Sequence, residues 1–567
     1  LLAPDGTVLL AQSAPVPASA RAVFLNLVGN TAHHETEEIQ PRATATRDAA
    51  VLARSDQPMQ LVTPARIRAK ARESADRREP LANLVAQLEA KGLGAYSRVT
   101  LTVLDNFLPW IEEDIRNDLA DRAWDTAHVL AGLTARETER AAAVLAGRET
   151  EFPVPRYRTG PLAIDGPCTI GLREFPDGRQ ERGPVFLTGS GHFGQVRRDV
   201  EKFPAYGCNF LQIEFAPRSV LPSEDTFSDR AIEDFLAVCD RAAAAHVSVN
   251  LLLSPHYFPD WALEKWPDLK DCHGGFFNYC VHDPRARSVV EKSLRHVIPR
   301  IKDHPALHSV CLSNEPICVD LRGCAVTKTA WPAWLERRHG DIAALNRRWR
   351  TAYAGFADIP IPAPDFAPTP LSVDFVRYNQ ETFAEFHAWM AGIVHELAPN
   401  LPVHAKIMMM AHFNRGTHGM WSVSPELFAE FSQYNGNDCC NFPSGGDWPT
   451  GWRGMAAGYD FQRSLADLPV FNSENHVIVD RDHGAVAPEH LYTALWQGAV
   501  HGQSSTTFWV WERTADFAGD LAGSLLHRPD AVEAIGRANL DLNRLAPQIT
   551  SIQRVPPEIG ILWSAAS

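Results

Sequence analysis

Short apolar strands alternate with helical segments from about residue 184 onward, and this alternation constrains the fold of the 567-residue chain more than any other feature. Parallel strands need long crossover connections, usually helices, so the pattern is typical of a parallel sheet covered by helices. The candidate strands are residues 185–189, 209–215, 247–254, 308–314, 402–408, 437–442, 469–474 and 506–512. Eight strands with helical crossovers in about 330 residues predict an α/β fold, the (β/α)8 TIM barrel. A doubly wound open sheet is the alternative, but no Gly-rich phosphate-binding turn follows the first strand.

The regions on either side of the predicted barrel have a different character. Residues 1–180 combine strand-like runs at 22–28 and 98–104 with helical stretches rich in Ala, Arg and Glu. We interpret this region as an appended N-terminal domain, α+β or β-sandwich, of unknown role. The barrel is then expected over residues 181–548, and residues 549–567 are expected to begin a further domain.

Composition excludes several classes of partner. The formal net charge of −14 argues against nucleic acid and anionic membranes, because both select basic surfaces. No stretch approaches the twenty or so apolar residues that span a bilayer. Ten scattered cysteines in a chain of this size do not form a disulfide framework. No signal peptide is visible, so the sequence leaves the compartment open between cytoplasmic and exported.

Ionisable groups at predicted strand ends indicate the chemistry. In a TIM barrel the functional side chains stand at the C-terminal ends of strands. The fourth strand ends in Asn314-Glu315 and the seventh in Glu474. Two carboxylates facing each other across a barrel mouth can hydrolyse a glycosidic bond, and a separation of about 5–5.5 Å gives retention of configuration. Asn314 is then placed to bind the sugar 2-hydroxyl. The eighth strand ends in Trp509-Val510-Trp511, and an indole there, for which we select Trp511, is placed to form the floor under the sugar ring. Read as structure only, the two glutamates are ion-paired strand ends.

The barrel region resembles glycoside hydrolase family 42, the β-galactosidase family of the clan A glycoside hydrolases. The similar stretches follow one another in the family's order: "IEFAPRSVLPSE" (213–224), "SPHYFPDW" (254–261), "NEP" (314–316), "WLERRHGDIAALNRRWRTAY" (334–353), "PVFNSE" (469–474) and "LLHRPD" (525–530). The resemblance implies Glu315 as acid/base, Glu474 as nucleophile and Asn314 as the 2-hydroxyl partner. It also implies a retaining mechanism that acts at chain ends.

Further candidate substrate-binding residues follow from strand-end positions. Arg218, after the second strand, is predicted either to steady Glu474 or to pair with another carboxylate of the barrel mouth. His256 and His476 are predicted either to donate to sugar hydroxyls or to be structural, and the same alternatives hold for His192 after the first strand.

Two more candidates carry less specific expectations. Trp261 is either a core residue or a wall of the sugar site. Asn441 stands beside Phe442, where the family commonly has a Tyr that supports the nucleophile. Because residues around the predicted sugar site differ from the family pattern, galactose is only the first guess for the sugar.

The resemblance also bears on a possible zinc site and on a possible oligomer. Some family members hold zinc with four cysteines, and here Cys280 and Cys324 fall at two of those places while Val326 and Thr329 occupy the others. Two thiolates are half of a tetrahedral site, so we expect no structural zinc and no cofactor; Cys272 and Cys318 are the spare thiols nearby. Residues 557–567 resemble the opening strand of the family's trimerisation domain, which implies a homotrimer in a longer chain.

The favoured function is therefore a retaining β-glycosidase with a carbohydrate substrate, and β-galactoside is the first substrate to test. Another β-linked sugar, namely a glucoside, a mannoside or an internally cleaved glucan, is the alternative within the same mechanism. A carbohydrate-binding barrel without catalysis is a second class, which the presence of both carboxylates disfavours. A metal-dependent hydrolase is a third class, but no His-x-His strand end or HExxH helix is found.

Overall fold

Eight parallel β-segments form the barrel predicted from the sequence. The computed structural model describes residues 62–272, 274–318, 321–363, 369–409, 422–440, 453–478, 486–514 and 523–562. The barrel strands are β4 (Leu187–Gly191), β5 (Phe210–Phe215), β6 (Ser248–Leu253), β7 (Leu307–Cys311), β8 (Val403–His404), β9 (Ile407–Met408), β10 (Asn435–Asp438), β11 (Val470–His476) and β12 (Gln503–Trp509). Each overlaps one of the eight predicted segments, β8 and β9 sharing one, so the prediction of a (β/α)8 barrel is confirmed.

The sheet closes on itself through a divided fifth strand. The strand order is β8-β7-β6-β5-β4-β12-β11-β10-β9, so both edges belong to the same stretch of chain, residues 403–408. At the break, the Lys406 amide still donates to the Ser313 carbonyl, which continues the pairing beyond β8. Side chains alternate along a strand, so His404 and Lys406 share one face, and both are fully buried.

Helical crossovers surround the strands, as right-handed βαβ connections require. Their hydrophobic faces pack on the barrel in one continuous core. The α-helices after β4 are α4 (Gly194–Arg198), α5 (Pro217–Val220), α6 (Arg230–Ala245), α7 (Asp260–Lys265), α8 (Pro284–Ile301), α9 (Ala325–His339), α10 (Ile342–Trp349), α11 (Pro370–Leu397), α12 (Pro425–Phe431), α13 (Arg453–Leu465), α14 (Pro488–Val500), α15 (Pro529–Arg544) and α16 (Ala546–Gln553). None of the described helices is long and apolar enough to cross a membrane.

Three helices precede the barrel, and one of them corrects the sequence analysis. They are α1 (Pro64–Glu89), α2 (Ala95–Arg116) and α3 (Ala120–Leu145). The run 98–104, predicted as a strand, lies inside α2, where all of its residues except Arg98 are buried. Residues 99–104 of α2 are all buried, so this run lacks the exposed polar positions that reveal a helical period. Its β-branched side chains therefore favoured a strand, and that prediction was wrong. The other predicted strand, 22–28, lies outside the described residues.

A small antiparallel sheet closes the N-terminal end of the barrel. It consists of β1 (Arg156–Asp165), β2 (Cys168–Glu174) and β3 (Gln180–Val185), in that order. Tyr157 packs with the barrel residues Phe210 and Phe471, and its hydroxyl is 2.7 Å from the Ser248 hydroxyl. The described part of the N-terminal region is therefore α+β and not a β-sandwich. The C-terminal ends of the strands, where TIM barrels carry their functional side chains, lie at the opposite end of the barrel.

One glycine permits two barrel strands to pair. Gly189 in β4 lies opposite Phe210 in β5, and a Cβ at Gly189 would come within 1.7 Å of the Phe210 carbonyl oxygen. Any side chain at this position would therefore separate the two strands. Beyond the barrel, residues 557–562 are exposed and form no strand, and residues 563–567 lie outside the described part of the chain.

Candidate active site

The ends of β7 and β11 bring Asn314, Glu315 and Glu474 together. Glu474 belongs to β11 and is 5% exposed, whereas Asn314 and Glu315 follow β7 and are half-buried. Glu315 has a φ of +37°, a left-handed conformation that costs energy for any residue other than glycine. Such strain persists where the surrounding structure enforces it, and it concentrates at functional sites.

Two further side chains complete a compact acidic group. Glu315, Glu474, Asp438 at the end of β10 and His476 at the end of β11 each place one polar atom within 4.8 Å of the others. His476 Nε2 is 3.3 Å from Glu474 Oε1 and 3.8 Å from Asp438 Oδ1. One oxygen of Glu315 lies within 4.8 Å of one oxygen of Glu474, which leaves no room for a water molecule between them and suits a retaining glycosidase, in which the second carboxylate attacks the sugar directly. An inverting enzyme needs about 6.5–9.5 Å to accommodate a water molecule.

A buried lysine links Glu474 to the opposite side of the site. The side chain of Lys406 is completely inaccessible to solvent, and its Nζ donates to Glu474 Oε2 at 2.6 Å. The same ammonium donates to Asn314 Oδ1 at 2.8 Å and lies 2.7 Å from His192 Nε2. His192 follows β4 with a φ of +75°, and its Nε2 is 3.1 Å from Glu474 Oε2. One oxygen of Glu474 is therefore held while the other faces His476.

The two glutamates experience opposite electrostatic environments. Burial would raise the pKa of Glu474, but the Lys406 ammonium lowers the pKa of this carboxyl well below its usual range. Burial and the negative charge of Glu474 raise the pKa of Glu315. Burial also raises the pKa of Asp438, which shares a hydrogen bond with Glu315. Carboxyls whose pKa values are driven apart are suited to divide the roles of nucleophile and proton donor.

The indole beside the carboxylates belongs to Trp509 and not to Trp511, which corrects the sequence analysis. The Trp509 ring stacks on His476 with centroids 5.7 Å apart and meets the edge of His192 at 5.2 Å. Strand β12 ends at Trp509, two residues before Trp511, so Trp509 stands at the strand end where functional side chains of a barrel lie. Trp511 is buried against Phe203, and its Nε1 donates to Asp199.

The remaining predicted residues divide between the site and its surroundings. His256 is buried near Lys406, and burial lowers the pKa of its imidazole to about 4. Arg218 is exposed and stacks on the Tyr257 ring at 4.6 Å; among the described residues it pairs with no carboxylate. Neither role considered for Arg218 is therefore seen, and Lys406 makes the contact with Glu474 instead.

Trp261 has structural partners rather than a place in the site. Trp261 donates from Nε1 to the Leu221 carbonyl at 2.9 Å and packs on Trp266, which is a structural use of the indole. Asn441 and its neighbour Phe442 lie outside the described residues.

Sequence reasoning missed Lys406 and Asp438. Both lay in segments that were correctly predicted as strands, but only the final residues of those segments were searched for functional groups. A lysine two residues after a histidine in the apolar run "PVHAKIM" (402–408) was the available signal, because a charged side chain inside a buried strand needs a partner. Asp438 carried a weaker signal, since aspartate is common where strands end.

Three buried thiols meet elsewhere in the barrel. One sulfur each from Cys272, Cys280 and Cys324 lies within 4.8 Å of the others, so Cys272 joins the two cysteines identified from the family pattern. Thiolates are suitable zinc ligands, but zinc at about 2.3 Å from each sulfur spaces the sulfurs about 3.8 Å apart. The sulfurs of Cys280 and Cys324 are 2.7 Å apart, and the described residues bring three ligands into this cluster rather than four. The cluster as it stands does not fit tetrahedral zinc, and we derive no catalytic step from a metal there.

Comparison with known proteins identifies the family. A family model for glycoside hydrolase family 42, described as β-galactosidase, matches residues 191–541, more than half of the chain. A β-galactosidase from Arthrobacter sp. is 26% identical over 256 residues, which are 41% of this chain and 35% of that protein. The β-galactosidase LacZ of Heyndrickxia coagulans is 23% identical over 388 residues, 63% of this chain and 54% of that protein. The chain thus spans between about a third and about half of the length of these relatives.

A solved structure shares the fold over most of the chain. The apo exo-carrageenase of family 42 from Bacteroides ovatus superposes with a TM-score of 0.72 and 20% sequence identity, covering 85% of this chain and 70% of that one. The match of the family model, the barrel and the order of the strand-end residues agree with one another. The chain belongs to glycoside hydrolase family 42.

Proposed function

We propose that the protein is a retaining glycoside hydrolase that releases a β-linked galactosyl residue. The observation that carries the proposal is the pair Glu315 and Glu474, whose carboxylates approach within 4.8 Å at the open end of the barrel. Their pKa values are shifted in opposite directions, so one carboxyl can hold a proton while the other stays ionised. An ion pair between strand ends would not need two acids side by side.

The first chemical step forms a covalent intermediate. Glu315, as the carboxylic acid, gives its proton to the glycosidic oxygen while the carboxylate of Glu474 attacks the anomeric carbon. The bond between that carbon and the leaving oxygen breaks, and an ester to Glu474 forms with inverted configuration. Asn314 is placed to donate to the sugar 2-hydroxyl, and Trp509 to cover one face of the ring.

The second step restores the enzyme. Glu315, now ionised, takes a proton from water as the water oxygen attacks the anomeric carbon. The ester bond breaks, Glu474 leaves as the carboxylate and the sugar is released with its original β configuration. The charge of Lys406 stabilises the departing carboxylate, which is the ionised form that its ammonium favours.

Family membership and the curated relatives favour galactose as the sugar. A second candidate is an anionic galactan, because the fold matches an exo-carrageenase over 85% of this chain and carrageenans are sulfated galactans. One feature of the rim suits a substituent of negative charge. The guanidinium of Arg218 is exposed beside the exposed Tyr257 and, among the described residues, has no carboxylate partner.

Nitrophenyl glycosides test the proposal. We expect hydrolysis of the β-galactoside and a lower rate with the β-glucoside and β-mannoside. Glu474→Ala loses activity, and azide restores turnover by giving the α-galactosyl azide, because azide attacks from the side that the carboxylate has vacated. Glu315→Gln keeps most of its kcat/KM on the nitrophenyl substrate, whose leaving group needs no proton, and loses kcat/KM on galactosides with poor leaving groups. Its kcat on the nitrophenyl substrate falls, because the second step has lost the base that takes the proton from water.

Two outcomes separate the alternatives. Unchanged turnover in either variant contradicts the assignment of the two glutamates. Hydrolysis of sulfated galactan oligosaccharides, with little activity on the desulfated form, favours the anionic substrate, and Arg218→Met is then expected to reduce that preference.

A further inference from the structure

Lys406 is a charged residue in the interior of the barrel with no access to solvent. It lies between β8 and β9, where the fifth strand is interrupted, and its side chain is 0% exposed. A buried ammonium is costly unless it is paired and hydrogen-bonded. Burial lowers the pKa of Lys406, but the charge of Glu474 outweighs this effect and raises it, so the residue is an ammonium.

Three polar atoms surround this ammonium at hydrogen-bond distance. They are Glu474 Oε2 at 2.6 Å, His192 Nε2 at 2.7 Å and Asn314 Oδ1 at 2.8 Å. An ammonium has three donors and no acceptor, so Lys406 keeps no hydrogen bond for a substrate. These atoms come from three different strand ends, and the ammonium therefore sets the orientation of each relative to the others.

Each partner is oriented as a consequence. Asn314 uses its carbonyl oxygen on Lys406, so its amide N–H groups are left to donate to the substrate. His192 Nε2 lies 2.7 Å from the ammonium and 3.1 Å from Glu474 Oε2, so the imidazole is held against the same ion pair. Glu474 has Oε2 engaged, so Oε1, which faces His476 at 3.3 Å, is the oxygen with a lone pair free for bond formation.

We infer that Lys406 is a positioning residue that selects Oε1 of Glu474 as the attacking oxygen and turns the amide of Asn314 toward an unsubstituted sugar 2-hydroxyl. The inference rests on the proposed glycosidase function. It predicts that Lys406 acts on the substrate only through Asn314 and Glu474. A sugar whose 2-hydroxyl is replaced by hydrogen loses the contact with Asn314, whatever the leaving group.

The test compares kcat/KM for a nitrophenyl β-galactoside and its 2-deoxy analogue. The wild-type enzyme is expected to prefer the 2-hydroxy substrate, and Asn314→Ala to lose that preference. Lys406→Met is expected to reduce the preference about tenfold or more, the value of one good hydrogen bond. In the double variant the preference falls no further, because both substitutions remove the same contact.

A second readout follows the charge. The acid limb of the pH–rate profile is expected to move to higher pH in Lys406→Met, because Glu474 loses the cation that keeps it ionised, and Lys406→Arg is expected to retain the wild-type limb. Lys70→Met, on an N-terminal helix, is the matched control and is expected to change neither readout. If Lys406→Met does not fold, Lys406→Gln is read in the same way.

The outcomes separate this inference from the function on which it rests. If wild-type protein hydrolyses no glycoside, the proposed function fails. If wild-type protein is active and Lys406→Met keeps both the wild-type 2-hydroxy preference and the wild-type acid limb, Lys406 has no positioning role. Multiplicative losses of preference in the double variant also overturn the inference.

Discussion

Removing the carboxylate of Glu474 leaves the Lys406 ammonium buried without its main counter-charge, and we expect the free energy of unfolding to fall. The pair is 2.6 Å apart with side chains 0% and 6% exposed, so water cannot replace the missing anion. Breaking a buried ion pair by removing one partner costs about 3–5 kcal/mol, whereas replacing both partners with neutral groups is often close to neutral. Glu474→Ala is therefore expected to lose about 3–5 kcal/mol of unfolding free energy, and Glu474→Ala/Lys406→Met to recover most of it.

Urea unfolding followed by tryptophan fluorescence measures the four corners of this cycle at pH 7. The pKa of Glu474 is lower in the folded protein than in the unfolded chain. The stability that this shift contributes is therefore fully present above the unfolded pKa, as at pH 7, and is lost as the pH falls through the folded pKa. Glu112→Ala is the control: its pair with Arg68 is about half exposed on both sides, so its loss is expected to cost under about 1 kcal/mol. Azide is expected to stabilise Glu474→Ala, since it supplies an anion beside Lys406, and to have no such effect on the double variant.

The reasoning is refuted if Glu474→Ala is as stable as the wild type. It is also refuted if the double variant is less stable than Glu474→Ala, because the lysine would then be stabilising without its partner.

Three further predictions concern the pH profile, the N-terminal helices and the contact between β4 and β5. The pH profile of kcat/KM is expected to have its acid limb below the ordinary glutamate pKa, because the pKa of Glu474 is lowered, and its alkaline limb above it, because the pKa of Glu315 is raised. An acid limb above that pKa, or an alkaline limb below it, would contradict the assignment. Asp114→Ala is expected to lower the unfolding free energy by about 3–5 kcal/mol in urea titration, since one buried carboxylate pairs with two buried arginines, one of them in the segment after β12; wild-type stability would count against this clamp. Gly189→Ala is expected to yield insoluble protein on expression, because its Cβ has no room against β5. A soluble, active variant would show that β4 and β5 can move apart enough to accommodate a side chain.

The barrel was predictable because parallel strands that are buried on both faces have short, nearly continuous apolar sequences. Each of the eight runs from 185 to 512 contains or overlaps a strand of the sheet, and the helices between them carry apolar stripes. The N-terminal region gave a weaker signal. The β-branched run 98–104 is as apolar as a strand, but in the folded chain it belongs to a helix that packs against α1, α3 and α15.

The candidate site shows the same division between local and non-local information. Asn314, Glu315 and Glu474 were identifiable because a strand end in a barrel has a known position, whatever the rest of the chain does. Lys406 and Trp509 depend on where a strand is interrupted and where it ends, which hydrogen bonds to neighbouring strands decide. Those bonds join residues far apart in the chain, so no local pattern records them.

The most direct test of the account is to trap the covalent intermediate. An activated 2-deoxy-2-fluoro-β-galactoside slows both steps, and its good leaving group lets the ester form and persist. Mass spectrometry of the intact protein is expected to find one added glycosyl group, and peptide mapping is expected to place it on Glu474. A label on a different residue, or continued turnover with no label at all, would contradict the central claim that this carboxylate attacks the sugar.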